Sequence, residues 1–462
     1  MTDTTNFVQN SQAITSDLNF QLKPSGVRSR SYRASILPTN KTTFSPTDTC
    51  IVYIPGGRRN TYLDCNQSYM RITIKNTDAT NTNFFRLDNN AACVINRIDV
   101  FHGGNLLETI QSYNILATYI FDMQASESEK KGYANIYGFN VDTAISVAGA
   151  VGTLDSAAGD RSGCQIFGTS SRTFCLPIFS GVCGVLADKM LPIGLLSDDI
   201  RLEITFETNT LGVVSASATS IYNIIDFQLE LTIVELSDEG ESMVRGSYSY
   251  PETPLYLHGA SWRHYMSQLP ASAGGFSTLV PARFASLKQL AVLPRRTGDL
   301  ATLAHYALSC RINPNFQYYW FRIGSAVVPS KAVTLQGTNT GAYGEAYIEL
   351  LKAWHMCHNV NISSCLDTEY NVSDKATDLT ASTVIANTTA AQTYRNGFVI
   401  AQELESFSNR NDVLLSGMNT LSSQIFFETN IDVAPAAVYS LNFFAYYDHI
   451  LVLDRGILSV KI

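Results

Sequence analysis

Seven histidines and nine cysteines are the side chains of this 462-residue chain best suited to metal or nucleophile chemistry. One segment gathers them: Trp354-His355-Met356-Cys357-His358, with Cys365 further on. On a helix His355 and His358 share a face. A structural zinc site needs four ligands, and this segment offers at best three at an unusual spacing. It therefore reads as the end of an amphipathic helix beside a buried cysteine, and neither a metal nor any other cofactor is expected. His102, His258, His264 and His305 are scattered and show no His/Glu motif converging on one ion. Neither a Gly-x-Ser-x-Gly elbow nor a Walker loop occurs. Gly56-Gly57-Arg58-Arg59 puts two cations after a strand and reads as an exposed turn in preference to a phosphate grip. Pro294-Arg295-Arg296 reads as a second basic turn. Asp198-Asp199 reads as the polar start of a strand rather than half of a glycosidase acid pair. No catalytic residue is assigned, and the chain is not expected to be an enzyme.

The remaining concentration of charge lies near the start. Lys23, Arg28, Arg30 and Arg33, with Tyr32 between, sit in a Thr/Asn/Ser-rich stretch without a core period. Residues 1–45 are expected to be a flexible arm. Its cations suit a neighbouring subunit, solvent, or an anionic surface such as nucleic acid or lipid headgroups. The chain as a whole is acidic, with a net charge of −8, which argues against broad nucleic-acid binding by the folded body. Charged residues make up only 16%, below the roughly 25% of an ordinary soluble domain. Such a surface suits a protein that buries much of itself against other copies.

No signal peptide is visible at the start, and no apolar run approaches the roughly 20 residues of a membrane span. Nine cysteines at irregular spacing, several inside apolar runs, read as buried free thiols in a reducing compartment rather than as a disulfide frame. Glycosylation sequons at Asn361, Asn371 and Asn387 then read as unused.

The elements that must position these residues are β-strands. Leu202, Ile204 and Phe206 alternate with Arg201, Glu203 and Thr205, and Phe227, Leu229, Leu231 and Ile233 alternate with polar residues. Period two with one polar face means antiparallel sheet with one side on a core. Further strands are expected at 51–54, 69–74, 93–101, 106–110 and 173–179. A helix follows over 112–124, with Ser112 as its cap. Phe206-Glu207-Thr208-Asn209 recurs as Phe427-Glu428-Thr429-Asn430, close to half the chain away. The element order recurs with it. Strands are expected at 255–265, 286–293, 316–323, 398–402, 424–429 and 437–453, with a helix over 345–358. Arg97-Ile98 and Arg322-Ile323 lie in corresponding strands. Each copy has a long patternless loop after its helix, at 142–171 and 363–395. The fold expected is all-β, two tandem eight-stranded antiparallel jelly rolls (β-sandwiches), each with a short helix at mid-copy. The copies are assigned to 46–240 and 241–462, after the arm at 1–45.

Two segments carry a resemblance to a known family: Arg97-Ile98-Asp99-Val100-Phe101-His102-Gly103-Gly104 with its following helix, and Leu191-Pro192-Ile193-Gly194-Leu195-Leu196 leading into 200–209. With the duplicated order, residues 46–462 resemble the double jelly-roll major capsid proteins of tailless icosahedral double-stranded DNA viruses. That lineage includes adenovirus hexons, virophages, polinton-like viruses and the large DNA viruses. The resemblance implies a homotrimer forming a pseudo-hexagonal capsomer that tiles a shell around the genome. It implies neighbouring capsomers, penton and minor capsid proteins as partners, and a virion assembled inside the host cell. The arm, through Lys23, Arg28, Arg30 and Arg33, would face an inner membrane or the genome. A carbohydrate-binding or carbohydrate-active double sandwich is the alternative, and it requires exposed Trp or Tyr clustered beside acids.

Overall fold

The structure, a computed structural model, describes residues 26–139, 164–215, 217–300, 311–335, 343–357, 397–406, 414–435 and 437–462, with positions 303, 306, 308, 309, 365 and 370. The first half contains β1 (Ser29–Ile36), β2 (Thr49–Ile54), β3 (Thr61–Asn76), β4 (Phe84–Leu87), β5 (Ile95–His102), β6 (Asn105–Gln111), β7 (Gln165–Phe167), β8 (Ser171–Pro177), β9 (Ile200–Phe206), β10 (Val213–Val214) and β11 (Tyr222–Leu236). The second contains β12 (Leu255–Leu269), β13 (Gly275–Val280), β14 (Leu287–Arg296), β15 (Phe316–Ile323), β16 (Ala326–Thr334), β17 (Ile400–Glu403), β18 (Ile425–Ile431), β19 (Tyr439–Asp454) and β20 (Ile457–Lys461). A helix at Asp238–Tyr248 links them.

Leaving aside the small sheet β10-β4-β7 and the appended β20, each half has eight principal strands. In the first half they pair as β1-β11-β3-β8 and β2-β9-β5-β6, and in the second as β12-β19-β14-β17 and β13-β18-β15-β16. Counted in chain order within a half, both halves give the sheets 1-8-3-6 and 2-7-4-5, the jelly-roll order. The mid-copy helices, Tyr113–Gln124 and Gly344–Ala353, occupy the same connection, between the fifth and sixth strands. The short repeats agree to the residue. Arg97 and Ile98 pair with Thr205 and Ile204, while Arg322 and Ile323 pair with Phe426 and Ile425. Each Arg-Ile pair therefore faces the two residues that precede the phenylalanine of its repeated tetrapeptide.

The alternation on β9 is borne out: Leu202, Ile204 and Phe206 are buried and their neighbours half-buried. Four expectations need correction. Residues 29–36 are not free arm but β1, an edge strand along the whole end of β11. Its period was hidden because it covers the sandwich with Tyr32, Ala34 and Ile36 only, leaving the alternate positions to solvent. The first long loop contains β7 at its end, while most of it, like most of 363–395, lies outside the described residues. Ser112 does not cap the first helix: it sits at φ +51°, and its hydroxyl is 3.3 Å from Nδ1 of His264. The second helix ends at Ala353, five residues short of the expected end at 358, and His355 has left-handed backbone. His355 therefore lies beyond the helix, and His358 lies outside the described residues.

The first helix is apolar toward both sandwiches. Eleven of its twelve residues are buried, so the fillings of the halves join across it into one contiguous apolar cluster. β19 is likewise buried on both faces, one inside its sandwich and one against the first half. Burial on all sides obliges the helix's polar atoms to find partners. Asp122 accepts from Lys130 Nζ at 2.6 Å, Asn89 Nδ2 at 2.9 Å and, across the seam, Arg311 Nη2 at 2.7 Å. Tyr119 OH accepts from Gln289 at 2.6 Å and Trp354 at 2.7 Å, both in the second half. Asp88 accepts from the backbone of Leu308 at 2.6 Å and of Ser309 at 2.9 Å. Burial by itself would raise the Asp122 carboxyl, but Lys130 and Arg311 outweigh it and hold the group well below the usual carboxylate range.

Arg311 is 1% exposed, so its removal leaves part of a buried charge uncompensated. Arg311→Met is expected to cost about 3–5 kcal/mol in urea unfolding followed by tryptophan fluorescence. Adding Asp122→Asn to it is expected to recover part of that loss.

Candidate functional site

Three places gather polar chemistry: the strand β1 with its arginines, the basic pairs at Arg58 and Arg295, and a cavity at the seam.

On β1, Arg30 reaches Glu235 of β11 at 2.8 Å, and Arg33 Nε donates to Glu230 Oε2 at 2.6 Å. The Arg33 guanidinium also lies 5.6 Å from the Tyr69 ring centre. Its hydrogen bond holds the Glu230 carboxyl below its usual range against the opposing effect of burial. Both arginines stay more than half exposed at the side chain, so one flank is internal and the other faces outward. Arg28 is exposed and gives its backbone carbonyl to Ser237. Lys23 lies outside the described residues.

Arg58 approaches Glu235 at 3.9 Å and stacks 5.3 Å from the Tyr32 ring, and Arg59 pairs with Asp238 at 3.2 Å. This basic turn thus ties its own chain's linker rather than forming a phosphate cradle. Asp199 accepts from Gly56 N at 2.9 Å just before β9 begins, as its reading as a strand start anticipated. Pro294-Arg295-Arg296 is not a turn. It is the end of β14, and Arg295 is 8% exposed. Burial lowers its guanidinium to about 10 despite Glu207 and Asp88 nearby.

The cavity, about 460 Å³, lies between the halves. Ile120, Phe179 and Leu186 wall it from the first half, and Trp262, Trp354 and Tyr446 from the second. Gln124 lines it from the first half, and the charged groups come from the second. Lys288 Nζ pairs with Glu405 Oε1 at 2.8 Å and Asp448 Oδ1 at 3.3 Å. His355 places Nδ1 at 3.6 Å from Glu403 Oε1 and Nε2 at 3.2 Å from Glu405 Oε2. The ligand atoms of His355, Glu403 and Glu405 all lie within 4.8 Å of one another. Sequence reasoning found His355 but grouped it with Cys357, His358 and Cys365. Cys365 instead donates to the carbonyl of Gly397 at 3.4 Å, and His358 is outside the described residues. Glu403 and Glu405 were missed because their proximity to His355 comes from the strand exit after β17, not from spacing along the chain.

The aromatic walls do not offer a sugar-stacking platform. Trp262 is 2% exposed, and its ring stacks on Tyr446 at 4.6 Å and on Trp354 at 6.1 Å, so its faces are occupied. Of the eight cysteines among the described residues, six are buried. Burial pushes the thiol of Cys65 up to about 12. Among the described residues, no helix is long and apolar enough to cross a membrane.

No protein-family model matches the chain, and no curated protein matches it. Solved structures do. The chain is similar to the capsid protein in the quasi-atomic PBCV-1 virus capsid (8% identity, 96% of this chain and 99% of the other, TM-score 0.58). It is similar to the Faustovirus major capsid protein (8%, 97% and 94%, TM-score 0.58) and to the mavirus major capsid protein (11%, 97% and 93%, TM-score 0.53). At this identity the likeness establishes the fold, a double jelly roll of the kind these capsid proteins have.

Three buried or half-buried histidines near the seam set an acid limit. Burial lowers His264 to about 4, with Asn442 opposing, and also lowers His102 and His449. A folded value below the unfolded one of about 6.5 means that the unfolded chain binds more protons between the two. Stability from His264 is therefore complete above about pH 6.5 and is lost as pH falls toward 4. Unfolding free energies from urea titrations at pH 7 and pH 4.5 are expected to differ by on the order of 2–3 kcal/mol, and His264→Asn is expected to shrink that difference.

Proposed function

We propose that this chain is a major capsid protein: three copies form a pseudo-hexagonal capsomer, and capsomers tile an icosahedral shell around a double-stranded DNA genome. One observation carries the reading. Two jelly rolls of identical strand order stand in one chain and are locked by a seam of buried charges, as a single rigid building unit. Three such units supply six similar sandwiches, so a threefold subunit fills a sixfold footprint on a curved lattice. A chain with only 16% charged residues fits a protein that spends its working life against copies of itself. The resemblance of its fold to capsid proteins supports the same role, which is structural and not enzymatic.

Within this reading the chain divides near residue 240, inside the linking helix, into two tandem units. Its partners are itself and neighbouring capsomers, with penton and minor capsid proteins at the vertices and seams of the shell. Its place is the virion, assembled inside the host cell. The cations Lys23 and Arg28, with the outward flanks of Arg30 and Arg33 behind them, meet an anionic layer beneath the shell, either lipid or genome.

Size exclusion with light scattering on the purified chain is expected to give about three times the 50.7 kDa chain mass, and negative-stain microscopy to give roughly hexagonal particles. A stable monomer at micromolar concentration would overturn the proposal. For the arm, the double variant Lys23→Glu, Arg28→Glu is expected to weaken flotation with anionic vesicles or retention of DNA at low salt, while the oligomer stays intact. Retention unchanged on both would remove the arm from this role.

A further inference from the structure

The seam cavity holds a cluster that the capsid reading does not use. His355 comes from the chain just after the second mid-copy helix, and Glu403 and Glu405 from the end of β17 and the residues after it. We propose that these three side chains form a binding site for a divalent transition-type cation, with zinc as the fitting ion, at the edge of the cavity between the jelly rolls.

Three observations converge. The donor set is mixed, one imidazole and two carboxylates, with ligand atoms within 4.8 Å of one another. A single ion takes one imidazole nitrogen and an oxygen of each carboxylate at about 2.0–2.2 Å, so the side chains close in and the ring, which now presents Nδ1 to Glu403 and Nε2 to Glu405, turns toward it. Next, Glu405 is already oriented from outside the cluster. Its Oε1 takes Lys288 Nζ at 2.8 Å and Ser416 Oγ at 3.0 Å, which leaves Oε2 directed at His355 Nε2 at 3.2 Å. An outer partner that fixes a carboxylate in this way is a recurring feature of metal sites. Finally, all three ligands line the 460 Å³ cavity, which gives a fourth coordination position room for water. The imidazole selects against magnesium and calcium, which prefer oxygen alone. Lys288 does not compete for the ion's position, because it neutralises the far oxygen of Glu405 and Asp448.

The consequence is mechanical. His355 and Glu403 bracket residues 356–402, so an ion here would clip both ends of that stretch together. A clip that closes a long loop removes more chain entropy than one that closes a short loop.

The test is zinc chloride titrated by calorimetry into the purified full-length oligomer, with thermal unfolding in parallel. One saturable site per chain is expected, with a rise in melting temperature that grows with zinc concentration. Glu403→Gln and His355→Gln are each expected to weaken binding at least about tenfold, and Cys357→Ser to leave it unchanged. Zinc-edge absorption on the wild-type protein is expected to show only nitrogen and oxygen ligands at about 2.0–2.1 Å. No saturable binding up to about 1 mM zinc, undiminished wild-type affinity in both ligand variants, or a sulfur shell near about 2.3 Å would each overturn the proposal. The absorption measurement reads the wild-type chain alone, so the proposal stays open to refutation even where a variant folds poorly.

Discussion

The structure depends on a helix that no surface of the protein leaves in water. Tyr113–Gln124 is buried along nearly its whole length, between two sandwiches that each present it an apolar face. A helix in that position cannot leave its polar groups to solvent, so Asp122, Tyr119 and the nearby Asp88 draw partners from the opposite half. Arg311, Gln289, Trp354 and the backbone of Leu308 and Ser309 do so at 2.6–2.9 Å. Each of those bonds is strong because it lies in low dielectric and expensive to lose for the same reason. The two halves are thus fixed in register, not merely tethered by a linker.

That fixity has a simple effect on the duplicated fold. In an isolated sandwich the outer face of a sheet is wet, and its strands alternate. Here the outer face of β19 is covered by the first half, so Asn442, Phe444, Tyr446 and Asp448 are buried or nearly so, as are the inward residues. Their polar atoms are used locally: Asn442 donates to the Leu293 carbonyl at 3.2 Å and accepts toward His264, and Asp448 takes Ser286 at 2.7 Å and His258 at 3.1 Å. Where glycine is required, the seam shows why. A Cβ on Gly181 would overlap the Ala260 carbonyl and the His449 ring, so the first half's loop can pass over the second only without a side chain there.

The copies have diverged in how equivalent positions are used. Glu207 and Glu428 occupy the same place in the repeated tetrapeptide. Glu207 is buried and takes Asn96 at 2.7 Å and Asn114 at 3.1 Å, beneath the first helix. Glu428 lies toward the surface and takes Trp320 at 2.8 Å and Arg322 at 2.9 Å. The backbone pairing that the repeat marks is shared, while the side-chain environment follows from which half faces the seam.

The sequence by itself determined the duplication, the alternating strands such as β9, the two mid-copy helices and the want of any catalytic motif. All of these are local: periodicity of two or 3.6 residues states which face of an element is buried, and a recurring tetrapeptide states that an element recurs. Tertiary structure alone decided the rest. β1 escaped notice because an edge strand that buries only every second residue among polar ones has little contrast. The burial of the first helix on all sides was not legible, because periodicity cannot tell that a second sandwich covers the other face. Arg295 read as a turn residue because the burial of a charged side chain depends on elements far along the chain. His355 acquired Glu403 and Glu405, and lost Cys357 and Cys365, because side chains converge through strand pairing and packing, which spacing in the chain does not encode.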